Sequence, residues 1–363
     1  MSTVDDSVYV IAEAGVNHNG ELQRALEMID TAVEAGADAV KFQTFVPQAL
    51  ASADAAKADY QQRNEPNAES QLAMLERLAI DFDSHLALLA RCRERGIDFL
   101  SSPFDRHSAD FLLGRLQLST IKLGSGELTN APLLWRLAAS DAELILSTGM
   151  ATLDEIREAL GVCCLAREGK TPTSARQCAD AFDSALIKDR ITLMHCTTEY
   201  PCPVDQVNLR AMDALREHTG LSVGYSDHTQ GIAISVAAVA RGARVIEKHF
   251  TLDRRLPGPD HAASLQPDEL ADMIGMIRDV SAALGRAEKL PTEGELRNAR
   301  IARKSLIAAA PIRRGELFDE HNLTSKRPGN GLAPLHYWSL LGKPAGRDYA
   351  IDELIDTITD DPP

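Results

Sequence analysis

The stretch LSVGYSDHTQGIAISVAAVARGARVIEKHF, residues 221–250, decides how the rest of the chain is read. Two short apolar runs, Leu221–Tyr225 and Val245–Ile246, each lead into a histidine: His228 follows Ser226-Asp227, and His249 follows Glu247-Lys248. Between them, Gln230–Arg244 is rich in Ala, Val and Ile, lacks proline and has the length of one helix. Strand, helix, strand with a polar group at each strand's carboxyl end is how α/β proteins build a site. Imidazole nitrogens suit a divalent transition metal, and two of them leave coordination positions for water or substrate. A histidine at a strand end can equally satisfy a local hydrogen bond, so both readings stand at this point.

Working outward, the same alternation recurs along the chain. Apolar or β-branched runs start near Val8, Ala39, Ile97, Thr120, Leu144, Ile191, Leu221 and Arg244. Helical patterns lie between them, at Leu22–Ala35, Asp83–Arg95, Ser108–Leu116, Pro132–Ala139 and Leu153–Leu165, with a polar excursion over Ala166–Asp189. Eight alternating units predict an α/β fold of the (β/α)8, or TIM, barrel type. A doubly wound open sheet is the rival, but Gly15 and Gly20 after the first strand do not make the GxGxxG fingerprint. Phe45–Leu78 is long for a connection, and long loops at a strand's carboxyl end carry function. The barrel is expected over 1–284, followed by a polar link, 285–303, and a small β-rich domain, 304–363, containing the turn-rich RPGNGLAP. So small a module buries little core by itself.

With 363 residues, 44% hydrophobic and 25% charged, the chain suits a globular protein with a large core. A net charge of −15 argues against nucleic acid or an anionic membrane as partner, and requires a local positive cluster for any anionic substrate. The amino-terminal residues MSTVDDSVYV form no signal sequence, and no stretch approaches a membrane span. Six cysteines without CxxC spacing predict reduced thiols and a cytoplasmic location.

A barrel would bring the carboxyl ends of all eight strands to one rim. The residues expected there are Glu13 and Asn17; Lys41 and Gln43; Ser101 and Ser102; Lys122, Ser125 and Glu127; Ser147 and Thr148; His195, Thr197 and Tyr200; Ser226 and His228; and Lys248 and His249. A serine at a strand end is most often a helix cap. An inward lysine is different, because it must meet an anion or lose its charge. Lys41 and Lys122, among hydroxyl-bearing strand ends, predict a phosphate cradle. Composition and spacing therefore reach a metal-dependent barrel enzyme acting on a phosphorylated anion.

At these strand ends the sequence resembles the sialic acid (nonulosonic acid) synthase family. The matching segments are IAEAGVNHNG at 11–20, GADAVKFQT at 36–44, IKLGSGELTN at 121–130, LSTGM at 146–150, HCTTEYP at 195–201, GYSDHT at 224–229, EKHFT at 247–251 and GPDHAASL at 258–265. RPGNG at 327–331 lies in what resembles that family's C-terminal antifreeze-like (SAF) domain. The resemblance implies condensation of phosphoenolpyruvate with an N-acetylated mannosamine-type sugar, with release of phosphate. It implies that His228 and His249 bind manganese or magnesium, and that Lys41, Ser102, Lys122, Ser125, Ser147 and Ser226 hold phosphoenolpyruvate. Glu13 and Glu127 become the acid/base carboxylates, and Tyr200 and Asp260 face the sugar. Arg327 would reach into a partner subunit's barrel in a domain-swapped homodimer.

Thr198 departs from the commonest N-acetylneuraminate pattern, which often carries Asn after His-Cys-Thr. The long loop, with KADYQQ at 57–62 and ESQLAML at 69–75, looks more like the branch that makes N,N'-diacetyllegionaminate from 2,4-diacetamido-2,4,6-trideoxymannose. The alternatives are N-acetylneuraminate synthesis from N-acetylmannosamine, another phosphoenolpyruvate aldol-type synthase, and a non-catalytic sugar-binding protein.

Overall fold

The computed structural model describes residues 7–64 and 69–356. The outer limits of the expected domains, 1–6 and 357–363, and residues 65–68 of the long loop lie outside the described residues. The chain divides into a unit ending at Gly285 and a second beginning at Arg286.

The first unit contains eight parallel strands: β1 (Tyr9–Gly15), β2 (Ala39–Thr44), β3 (Asp98–Pro103), β4 (Thr120–Leu123), β5 (Glu143–Ser147), β6 (Ile191–Cys196), β7 (Ser222–Asp227) and β8 (Val245–His249). Their order is β3-β2-β1-β8-β7-β6-β5-β4, so β1 pairs with both β2 and β8 and the sheet curls round. β3 packs beside β4 without a hydrogen-bonded ladder, leaving a nearly closed TIM-type barrel with one seam.

Side chains alternate across each strand, which sorts every strand into two sets. Val10, Ala12, Val40, Phe42, Ile121, Leu123, Leu144, Leu146, Leu193, Val223, Tyr225 and Ile246 join the main apolar core with the surrounding helices. Ile11, Ala39, Leu100, Ile145, Met194 and Val245 form a separate cluster that fills the barrel interior. Gly224 belongs on that inner face because a Cβ there would come 2.4 Å from the Val245 carbonyl oxygen. One inward position further along, the interior turns polar on the other strands, while β6 presents the thiol of Cys196.

The β1–β2 crossover is α1 (Leu22–Glu34), amphipathic and seated through Ala25, Met28, Ile29 and Ala32. The long segment after β2 is not structureless. It holds α2 (Pro47–Leu50), α3 (Asp59–Asn64) and α4 (Gln71–Leu78), ahead of α5 (Phe82–Arg95). α4 starts at Ser70, whose side chain accepts from the Ala73 amide, and buries Met74, Leu75 and Leu78. α5 begins on Asp81, which caps Ser84, and ends on Gly96 in the left-handed conformation. Among the described residues no helix is long and apolar enough to cross a membrane.

In the second unit, the expected polar link contains a helix, Glu293–Ala302, with a Thr292/Glu295 capping box. None of its residues is buried, and its polar, charged sequence is what makes the span read as a link. β9 (Ser305–Ala308) and β10 (Leu323–Lys326) pair antiparallel. A small core around Leu306, Ile312, Phe318, Leu323 and Tyr349 sits under them. The 327–331 turn is anchored on the preceding helix, where Gly329 donates to the Arg300 carbonyl at 2.9 Å.

Candidate active site

The inward polar residues converge on one cavity of about 320 Å³ at the carboxyl end of the barrel. Glu13, Lys41, Ser102, Lys122, Ser125, Glu127, Ser147, Tyr200, Ser226, His228 and His249 all line it. Asp260 is buried in the segment after β8, close enough to Tyr60 and Tyr200 for its charge to oppose ionisation of both phenols. Arg327 belongs to the second unit, where it is exposed and its Nε donates to the Ala302 carbonyl at 3.0 Å.

Strand alternation removes several residues expected on the rim. Lys248 faces outward, 3.0 Å from Asp227, in a buried network with Thr229 and Ser235. His195 also points out and donates to the Val207 carbonyl at 2.7 Å. Ser101 shares a hydrogen bond with Thr44, Thr148 donates to Met194, and Asn17 donates to Phe250 and Ser264. These five hold the scaffold.

The same rule supplies a cavity residue absent from the expected rim. Glu247 sits two positions after inward Val245 and two before inward His249, so it enters the cavity where Lys248 was expected. Its Oε1 lies 3.3 Å from Lys122 Nζ and accepts from Ser226 Oγ at 2.8 Å, while Oε2 lies 3.6 Å from Lys41 Nζ. Lys41 also pairs with Glu13 at 2.8 Å and donates to Ser102 at 3.3 Å. The floor is thus two lysines and two glutamates, all buried.

Burial makes this quartet unequal. It raises the Glu13 pKa, with repulsion from Glu247 adding to the effect and Lys41 opposing it. Burial acts on Glu247 too, but Lys122 and Lys41 outweigh it and hold that carboxyl well below the usual range. Lys41 is pushed down by burial yet ends raised, because both glutamates face it. Lys122 ends lowered, since burial and Lys41 prevail over Glu247. The floor holds a firmly ionised carboxylate, a carboxyl able to carry a proton, and a lysine whose charge an incoming anion would stabilise.

Above the floor, burial lowers the pKa of His228 to about 4 and that of His249 well below the ordinary value. Both rings are therefore neutral at pH 7. His228 Nδ1 donates to the Thr197 carbonyl, which leaves the lone pair on Nε2. His249 Nδ1 is buried without a hydrogen-bond partner among the described residues. The ring centroids lie 5.7 Å apart, and Tyr200 packs against both, 4.0 Å from His228. Gly15, at φ +53°, keeps the backbone tight here: a Cβ would lie 3.2 Å from Glu13 Oε1 and 3.4 Å from His249 Cε1. A neutral imidazole pair with a fixed tautomer and an orphaned nitrogen fits a divalent cation. Among the described residues no third His, Cys, Asp or Glu completes a ligand cluster.

On the other side, Ser125 Oγ accepts from the Gly149 amide at 3.0 Å, and Ser147 Oγ is buried without a partner among the described residues. Half-buried Glu127 accepts from Asn130 at 2.7 Å, and burial raises its pKa against that bond.

A barrel whose strand ends carry lysines, glutamates, serines and paired imidazoles around one cavity, followed by a small β module, defines an α/β-barrel class with a buried, charged centre. The chain belongs to the NeuB family, whose model matches residues 28–289, and it carries a SAF domain over 303–357. It is 48% identical to the N,N'-diacetyllegionaminic acid synthase of Campylobacter jejuni over 95% of this chain and 98% of that protein. It is 40% identical to the protein of the same name from Legionella pneumophila, over 92% of this chain and 89% of that one. The crystal structure of the N-acetylneuraminic acid (sialic acid) synthetase of Leptospira borgpetersenii superposes with a TM-score of 0.65 at 30% identity, covering 80% of this chain and 90% of that one.

Proposed function

We infer that this chain is a nonulosonic acid synthase that condenses phosphoenolpyruvate with 2,4-diacetamido-2,4,6-trideoxymannose to give N,N'-diacetyllegionaminate and phosphate. The observation that carries the reaction class is the buried Lys41–Lys122 floor beside two neutral imidazoles in a single cavity. The choice of sugar rests on the near full-length identity to the Campylobacter jejuni synthase.

In this reading the phosphate sits on Lys41 and Lys122, with Ser102, Ser125, Ser147 and Ser226 as neutral donors. His228 and His249 hold manganese or magnesium, which when bound polarises the sugar aldehyde as a Lewis acid. Phosphoenolpyruvate C3 forms the new bond to the aldehyde carbon. Glu13, whose affinity for a proton is raised by burial, gives a proton to the aldehyde oxygen. Positive charge develops at C2 and faces ionised Glu127. Water adds at C2 and yields a proton to that carboxylate; the remaining C2 hydroxyl proton then passes to the departing phosphate as the C–O bond breaks and the C2 carbonyl forms. Tyr200 and Asp260 position the sugar.

Arg327 completes the site of a partner copy in a domain-swapped homodimer. Six free, buried cysteines support a cytoplasmic location. The test is mass spectrometry of products formed from phosphoenolpyruvate with 2,4-diacetamido-2,4,6-trideoxymannose or with N-acetylmannosamine. A legionaminate mass from the first is expected. A product from the second alone would make the enzyme a neuraminate synthase, and none from either would end the reading.

A further inference from the structure

The cavity has a second surface quite unlike its floor. Leu50 ends α2, Gln71 opens α4, Leu75 follows one turn later, and Phe104 comes just after β3; all four line the cavity. Residues i and i+4 share a helix face, which is why Gln71 and Leu75 reach the cavity together. Leu75 is buried with Val16, Phe45, Met74 and Leu78 in one apolar cluster, against which Leu50 and Phe104 pack. Phe45 meets Phe104 edge-on at 6.2 Å. α4 is therefore seated by its own core, and its first turn is fixed by the Ser70 cap and by the Gln71 amide donating to Ala55. Gln71 is thus held in place on an apolar wall and lines the cavity.

These four residues bear no formal charge, so the wall does not favour a phosphate or carboxylate. A primary amide offers two donor hydrogens and one acceptor oxygen, and beside it lies aliphatic and aromatic surface. An acetamido group is the complement: one N–H, one carbonyl and one methyl. A hydroxyl in its place would use the amide but leave the apolar surface uncovered. We propose that Gln71, with Leu50, Leu75 and Phe104, receives the second acetamido group of a diacetamido sugar and so determines which mannosamine is used. This rests on the synthase reading above and deepens it.

The experiment compares kcat/KM for 2,4-diacetamido-2,4,6-trideoxymannose and for N-acetylmannosamine. The unmodified enzyme should prefer the diacetamido sugar by about a hundred-fold or more. Gln71→Ala and Gln71→Leu should each lower kcat/KM for that sugar by about ten-fold or more, chiefly through KM. Both should leave N-acetylmannosamine within about three-fold, so the preference collapses. Leu50→Ser, on a partly exposed part of the wall, should give the same split and stands in should the Gln71 variants not fold. If folded variants lower both sugars equally, or neither, the inference is overturned. An unmodified enzyme that uses both sugars equally well overturns it too, while leaving the synthase reading intact. If neither sugar is consumed, that reading fails and this inference falls with it.

Discussion

Glu247 Oε1 lies 3.3 Å from Lys122 Nζ at the bottom of the cavity, and both side chains are almost wholly removed from solvent. Breaking a buried pair by neutralising one partner leaves an uncompensated charge, which typically costs about 3–5 kcal/mol. Glu247→Gln should therefore destabilise the ligand-free protein by roughly 3 kcal/mol. Inorganic phosphate can replace the lost negative charge, so it should stabilise the variant more than the parent. Urea unfolding with and without phosphate measures both effects. Equal phosphate stabilisation in the two proteins would show that Glu247 does not compensate the lysines.

The lysines themselves should separate binding from chemistry. Lys122→Ala or Lys41→Ala removes a cation from an enclosed anion site, and KM for phosphoenolpyruvate should rise at least ten-fold by the usual scale of such losses, roughly. KM for the sugar should change much less. Glu127→Gln should instead depress kcat while calorimetry finds phosphoenolpyruvate binding nearly intact. A Glu127→Gln protein unable to bind phosphoenolpyruvate would refute its assignment to the transition state.

Metal dependence follows from the two neutral imidazoles. Chelation should abolish turnover, and manganese or magnesium should restore it. His228→Ala and His249→Ala should each lose metal content after dialysis, measured by atomic absorption, because one remaining imidazole holds a divalent ion poorly. Full activity in demonstrably metal-free protein would remove the cation from the mechanism.

Much of this was legible in the sequence because barrel strands announce themselves. The strands at Ala39–Thr44, Thr120–Leu123 and Ile191–Cys196 begin where apolar periodicity predicts. The cavity was legible because lysines at inward strand positions demand an explanation. Charge alone puts Lys248 on the rim, but strand parity does not: Val245 and His249 on the same strand fix Glu247 as the inward residue. Had every strand been split into odd and even positions, His195 and Ser101 would also have been turned outward. Gln71 and Leu75 could not be found this way. They reach the cavity only because α4 packs through Met74, Leu75 and Leu78 onto Val16, Phe45 and Phe104, a tertiary contact that no local pattern records.

Acid should weaken the barrel from within. His18 is buried, its Nδ1 accepts from the Gly20 amide at 3.0 Å, and burial lowers its pKa from 6.5 to about 4. His261, paired with Thr251, is lowered to about 4 for the same reason. Between these values the unfolded chain binds more protons than the folded one, so stability rises with pH. The contribution is complete above pH 6.5 and is lost as pH falls toward 4. For His18 the loss is about 3 kcal/mol at one pKa unit per 1.4 kcal/mol. Urea unfolding in chelator-containing buffer at pH 7.5 and pH 5 should show the drop, and His18→Asn should make it smaller. A stability constant across that range would mean that these rings are charged in the folded protein.

The domain-swapped site can be decided by mixing two dead enzymes. Arg327 is exposed in the second unit, with its Nε donating to the Ala302 carbonyl. Arg327→Ala and Glu127→Gln chains are each expected to lose nearly all activity alone. In a swapped dimer each site takes its barrel from one chain and its arginine from the other. A mixed dimer then contains one site with both residues intact and one with neither. Denaturing and refolding an equimolar mixture yields half mixed dimers, so activity should return to about a quarter of the parent value under random pairing. If Arg327 serves its own barrel, each site in the mixed dimer lacks one residue, and the mixture stays inactive. Sedimentation of the parent gives the independent check, since a fully active monomer is incompatible with a site completed by a second copy.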